Sequence, residues 1–343
     1  MKNESILHVS KTKTGKNCFS SVTQALQSLP QGGTEPVTIE IDPGIYHEKI
    51  TISRPFVTLT GCGAQASDTV LSFDDYANRI MEDGNKMGTF RSYSLFVDAH
   101  DVTLLNLTVE NASGDSPTHG QAIALYADGD RLIVDSCRIL GHQDTLFTGP
   151  LPEKELVKGG FIGPKQFSPR LKTRQYYKNC YICGDVDFIF GSAAACFENC
   201  TLESLRRFPD AASVANGPAR READPPVQGY VTAASTPKDQ TYGYVFFQCR
   251  LISKDCPPAS VYLGRPWRDF AKTIFIDCAI GPHIHPALFH DWNKEEARKS
   301  VFYGIYTGQD KEAFPGRADF VRLLTKEQAD AFSPEKTLAE AGG

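Results

Sequence analysis

The sequence predicts an all-β protein, one domain spanning residues 1–343 and wound as a right-handed parallel β-helix. Three observations carry this. A short phrase recurs around cysteines: VDSCRI at Cys137, YKNCYI at Cys180, FENCTL at Cys200, FFQCRL at Cys249 and FIDCAI at Cys278. Each has a small polar or acidic residue, then Cys, any residue, and Ile or Leu, while LLNLTV at 104–109 keeps the phrase with Leu107 in the Cys slot. The separations from Leu107 onward are 30, 43, 20, 49 and 29 residues, so the repeat carries loops of variable length. Finally, the segments between turns are short and rich in Val, Ile, Phe and Tyr, with Asn and Gly at the turns.

Stacked coils would bring like residues over like, and an inward ladder of Cys or Leu would bury each coil on the next. Coils are expected over about 36–310, with a tail over 311–343. Two stretches rich in Pro, Gly and charge, 148–173 and 203–229, read as outward loops that could wall a cleft. CFSSVTQALQSLP at 18–30 has helical apolar spacing before a Pro and is expected to cap the first coil; TKEQADAF near 325–332 is expected to lie against the other end.

Hydrophobic residues make up 41% of the chain and charged residues 22%, ordinary values for a globular protein. A net charge of −5 with no dense Lys/Arg run argues against a nucleic-acid partner, and no apolar stretch approaches a membrane span. The ten Cys are scattered rather than framed as disulfide pairs, and the lone Cys-x-x-Cys of Cys180 and Cys183 sits in a strand-like run where small buried thiols are the plain reading.

Four stretches hold polar residues in apolar strand patterns: GQAIAL at 120–125, GHQDTLF at 141–147, GDVDFIFG at 184–191 and YLGRPW at 262–267. Alternation places Val186, Phe188 and Phe190 on the inward face and Asp185, Asp187 and Ile189 on the outward face. If the coils stack, two acids, two amides, one guanidinium and one indole gather in one patch. Asp185 is expected to be solvated near a turn.

These stretches, together with GIYHEKI at 44–50 and RQYYKNCYIC before the acidic strand, make the chain resemble the pectin methylesterases from about residue 6 to 310. The spacer between QDTLF and RQYY is longer than in plant members and similar to that of bacterial ones. The resemblance implies a pectin lyase-like β-helix and hydrolysis of C6 methyl esters of galacturonate units in methyl-esterified homogalacturonan or its oligomers, releasing methanol. By position it implies Asp187 as nucleophile, Asp144 as general acid/base, Gln121 and Gln143 as oxyanion donors, Arg265 holding the nucleophile, and Trp267, His142 and Phe188 on the substrate. His142 stands where plant members carry Tyr. No metal or cofactor is implied, and a monomer is expected.

The residue types suit the chemistry. A carboxylate nucleophile must be ionised and aimed, which a neighbouring Arg favours; amide N–H groups stabilise a tetrahedral oxyanion; and an acid that starts protonated can give its proton to departing methoxide. Two rivals stand beside this reading. A β-helix glycoside hydrolase or lyase would cut the polymer, with Asp144 and Asp187 as a carboxylate pair in the hydrolase case. A binding protein would hold polysaccharide without turnover. The start MKNESILHVSKTKTGKNCFSSV lacks the apolar run of a secretory signal, so a cytoplasmic enzyme acting on imported oligomers is expected, or a secreted one if the true start lies upstream.

Overall fold

One coil shows how the cysteine phrase builds the molecule. In this computed structural model, which describes residues 5–30, 32–208, 227–308 and 313–339, the strand Arg174–Lys178 runs into Asn179, a left-handed turn residue with φ of 52°. Cys180 then points inward, Tyr181–Gly184 and Val186–Gly191 form the second and third sides, and Ala194–Glu198 returns beside Arg174–Lys178 in parallel register. Repetition gives three parallel sheets, of 12, 8 and 7 strands among the described residues.

The polar residue of the phrase is the turn. Asn106, Ser136, Asn179, Asn199, Gln248 and Asp277 all have φ between 50° and 54°, a region Asn and Asp tolerate better than most residues. Their side chains also meet across coils: Asn199 Nδ2 donates to Asn179 Oδ1 at 2.8 Å, and Asn179 Nδ2 to Asp135 Oδ1 at 3.2 Å. The following thiols face the interior, where Cys180, Cys200, Cys249 and Cys278 each donate to a carbonyl of the preceding coil at 3.3–3.5 Å. All ten Cys are free, and burial pushes the Cys183 thiol up to about 11, a structural rather than reactive environment.

Inside, Tyr177, Phe197, Phe246 and Phe275 occupy successive registers and stack at centroid spacings of 4.6, 4.5 and 4.5 Å. A second apolar cluster, which includes Phe90, Tyr126, Phe147, Phe161 and Phe190, lies on the outer side of the 7-stranded sheet.

The ends differ from expectation in detail. The capping helix is Val22–Gln27, shorter than 18–30, because Cys18–Phe19 instead pairs as a strand with Ser5–Val9. Its first N–H groups, of Val22 and Thr23, are accepted by the Glu48 carboxylate at 3.0 Å each, in addition to the Ser21 cap. The coils extend past 36–310 on both sides, since Ser5–Val9 pairs with Val37–Ile41 and Val321–Leu323 pairs with Phe302–Tyr306. The C-terminal helices Lys326–Ala329 and Pro334–Ala339 lie along the 12-stranded sheet rather than across its end; Leu324 and Ala329 cover Val245, Ile274 and Ile276 there.

Residues 149–173 form the expected outward loop between strands Leu146–Thr148 and Arg174–Lys178. Arg170 braces it by donating to the carbonyls of Pro152, Lys165, Gln166 and Ser168, and Lys165 ties it to Asp98 at 2.5 Å. Of the loop expected at 203–229, residues 209–226 lie outside the described residues; Glu203 and Ser204 still belong to the strand Thr201–Ser204.

Candidate active site

The 7-stranded sheet sets the candidate residues on neighbouring coils. Gln121 precedes strand Leu125–Ala127, Gln143 and Asp144 precede Leu146–Thr148, Asp187 lies in Val186–Gly191, and Arg265 follows Val261–Gly264. Parallel pairing along this sheet brings all five to one cleft of ≈ 490 Å³, which Trp267 also lines. Loop 149–173 supplies one wall through Glu155, Leu156, Val157, Gly160 and Phe161.

Asp187 is nearly buried and held at both oxygens. Arg265 Nε donates to Oδ1 at 2.8 Å and Nη2 to Oδ2 at 2.7 Å. The guanidinium lies between the Tyr230 ring, 3.9 Å from its centroid, and the Trp292 ring, 3.7 Å away, so its orientation is fixed on both faces. Asp144 is also buried, and burial together with the negative charge of Asp187 pushes its carboxyl well above the usual carboxylate range; Arg265 pulls it back only in part. The two acids thus sit in unequal surroundings, one paired with a cation and the other not. The Gln121 and Gln143 side chains make no hydrogen bond to another described residue and line the cleft.

Both acids occupy left-handed backbone, with φ of 64° at Asp144 and 50° at Asp187. At Asp187 the pairing with Gly229–Ala234 slips one register between Val186 and Ile189. Such a bulge re-aims side chains, and it corrects the alternation read from GDVDFIFG. Phe188 and Ile189 both enter the interior, fully buried, while Phe190 turns outward to line the cleft, 5.6 Å from Trp267. Phe188 is therefore not a substrate contact. Phe188→Ala should cost about 3–5 kcal/mol of stability with KM little changed, and Phe190→Ala should raise KM; urea unfolding and steady-state kinetics separate the two.

Tight backbone contact sets this stretch. A Cβ on Gly184 would lie 2.4 Å from the His142 carbonyl oxygen and 2.3 Å from Phe188 Cβ, so only Gly lets the coils approach here.

Two further expectations change. Asp185 is not solvated: it is 1% exposed and bonded on both oxygens. His142 is partly exposed but directs Nδ1 toward Asp185 Oδ2 at 3.4 Å rather than lining the cleft.

A pectinesterase family model matches residues 8–151 and 170–340. The chain belongs to the pectinesterase family. Pectinesterase 31 of Arabidopsis thaliana is 30% identical over 327 residues, covering 94% of this chain and 89% of its own length. The pectin methylesterase PemA from Erwinia chrysanthemi is 26% identical with a TM-score of 0.74, covering 99% of this chain and 98% of its own. A pectin methylesterase crystallised in complex with a hexasaccharide is 27% identical, with a TM-score of 0.74 and 97% of each chain covered. The chain spans about half the length of other curated relatives it matches, pectinesterases 3 and 1 of Citrus sinensis. In this pectinesterase-family chain, sequence reading missed Trp292 and Tyr230, the two rings that clamp Arg265. Trp292 carried one available signal: it is one of only 2 Trp in the chain.

Proposed function

We propose that the cleft hydrolyses C6 methyl esters of galacturonate units in pectin, with Asp187 as nucleophile and Asp144 as general acid and then base. The observation that carries this reading is the contrast between the two buried acids: Asp187 is gripped at both oxygens by Arg265, and Asp144 is held toward its neutral form.

The ionised Asp187 attacks the ester carbonyl carbon, forming a C–O bond and a tetrahedral oxyanion. The Gln121 and Gln143 amides donate to that oxygen, each worth about 2.7–4 kcal/mol where such a donor is removed from an oxyanion site. Collapse breaks the bond to methoxide, which takes the proton of Asp144 and leaves as methanol. The Asp144 carboxylate then removes a proton from water as it attacks the acyl carbon; Asp187 leaves as a carboxylate, and the product is the free acid. Trp267, Phe161 and Phe190 offer an apolar wall to the sugar ring.

The test is product analysis on methylated oligogalacturonide. Methanol and free carboxylates should appear in equal amounts, with no new reducing ends and no unsaturated products. New reducing ends or unsaturated sugars would transfer the cleft to a glycosidase or lyase, and sugar binding without turnover would make it a lectin-like site.

A further inference from the structure

Asp185 makes contacts that a surface strand acid would lack. Its Oδ1 accepts the Val186 N–H at 2.6 Å; its Oδ2 accepts from Ser116 Oγ at 2.6 Å and faces His142 Nδ1 at 3.4 Å. Its backbone N–H donates to the His142 carbonyl at 3.1 Å, and its carbonyl accepts from Tyr230 at 3.0 Å. Ser116 is 2% exposed, so this is an interior contact. A buried carboxylate costs several kcal/mol unless hydrogen bonds or charge offset it, and here it adds a third acid beside Asp144 and Asp187. A Ser–His–Asp relay is not the explanation, because the serine bonds the carboxylate and not the imidazole.

The strand order explains what the contact joins. Val186–Gly191 neighbours Leu146–Thr148, which neighbours Leu125–Ala127, so Ser116 reaches across the intervening coil to meet Asp185. His142 comes from that intervening coil. One carboxylate oxygen therefore gathers a side chain from each of the two preceding coils, just where those coils present Gln121 and the Gln143–Asp144 pair. Ser116 opens the single helical turn Ser116–His119, which closes at Gly120 through its N–H to the Ser116 carbonyl at 2.9 Å; Gln121 is the next residue. Gly120 has φ of 77°, and the carbonyls on either side of it accept backbone bonds, His119 from the Asn78 N–H at 3.2 Å and Gln121 from the Ala77 N–H at 2.8 Å, so the chain has little freedom between the serine and the glutamine. The Gln121 amide itself has no described partner to hold it.

We propose that Asp185 is a positioning residue, which, through Ser116, sets the segment 116–121 and so aims the Gln121 amide at the oxyanion formed on Asp187. The proposal rests on the esterase reading above. It assigns a role in the reaction to a residue that does not touch substrate.

The experiment measures methanol release from methylated oligogalacturonide by wild type, Ser116→Ala, Ser116→Thr, Asp185→Asn, Gln121→Ala and the double variant Ser116→Ala/Gln121→Ala. Misplacing the amide should lower kcat about ten- to a hundredfold in Ser116→Ala and Asp185→Asn, with KM within about twofold. Ser116→Thr, which restores the hydroxyl, should recover most of the rate. In the Gln121→Ala background the serine substitution should change kcat by less than about twofold, because the group it aims is gone. Unchanged kcat in Ser116→Ala, or losses that multiply in the double variant, would overturn the assignment. Should Asp185→Asn fail to fold, the serine pair still decides the matter, since both keep the carboxylate. A wild type that releases no methanol would overturn the esterase reading and this proposal with it; active wild type with multiplying losses would overturn this proposal alone.

Discussion

Asp187→Ala should abolish turnover, with a loss in kcat on the order of 10⁴-fold or more, while oligogalacturonide should still bind. The size follows from the absence of a substitute: Asp144 is held toward its neutral form and cannot attack, and the glutamines are not nucleophiles. Binding survives because the apolar wall of Trp267, Phe161 and Phe190 does not depend on the carboxylate. Stability falls at the same time, since Arg265 is left without its carboxylate between the Tyr230 and Trp292 rings. The reverse truncation, Arg265→Ala, leaves Asp187 beside Asp144 and Asp185 without a cation and should cost about 3–5 kcal/mol. Methanol assays at high enzyme concentration, with calorimetric sugar binding and thermal unfolding, check all three. A variant lacking Asp187 that keeps about a tenth of the wild-type rate would place the nucleophile elsewhere.

Asp144 gives the second large effect, on rate and on stability. Its acid must be protonated to release methanol, so kcat should fall as pH rises through its raised pKa, and Asp144→Asn should lose most of the activity at every pH. The stability that Asp144 contributes falls in the same direction of pH. The folded-state pKa lies well above the ordinary 3.8, so the fold favours the protonated form. Its stabilising contribution is fully present below 3.8 and is lost as pH rises toward the folded value. Asn cannot ionise and escapes that loss, so Asp144→Asn should unfold at a higher temperature than wild type at alkaline pH and at a similar one near the ordinary carboxylate pKa. Each unit separating the two pKa values is worth about 1.4 kcal/mol of this difference. Equal melting temperatures at all pH values would mean that burial does not hold Asp144 neutral.

What could be read before the structure, and what could not, follows from the range of the interactions involved. The β-helix was legible because each cysteine phrase is a local rule: a residue that tolerates φ near 50° turns the chain, and the next side chain goes inward. The cluster of Asp187, Asp144, Arg265, Gln121 and Gln143 was legible because each residue sits in a quotable stretch and parallel stacking does the rest. Ile189 and Phe190 were exchanged because alternation assumes an unbroken strand, whereas the register slips where Asp187 adopts left-handed backbone. The clamp of Tyr230 and Trp292 on Arg265 was hidden, since it joins residues from separate coils with no shared stretch. Asp185 was misread for a similar reason: its burial depends on Ser116 arriving from two coils away.

The central claim is that one buried acid carries a proton while the other is a carboxylate under Arg265. Infrared difference spectroscopy on wild type minus Asp144→Asn, at a pH just above the ordinary carboxylate range, reads this directly through the carbonyl stretch of a protonated carboxyl. Asp128, which burial pushes up to about 7, titrates in both proteins and cancels in the difference. A protonated-carboxyl band present in wild type and missing in Asp144→Asn is the predicted result; a band that is absent from wild type, or that survives the substitution, would contradict it.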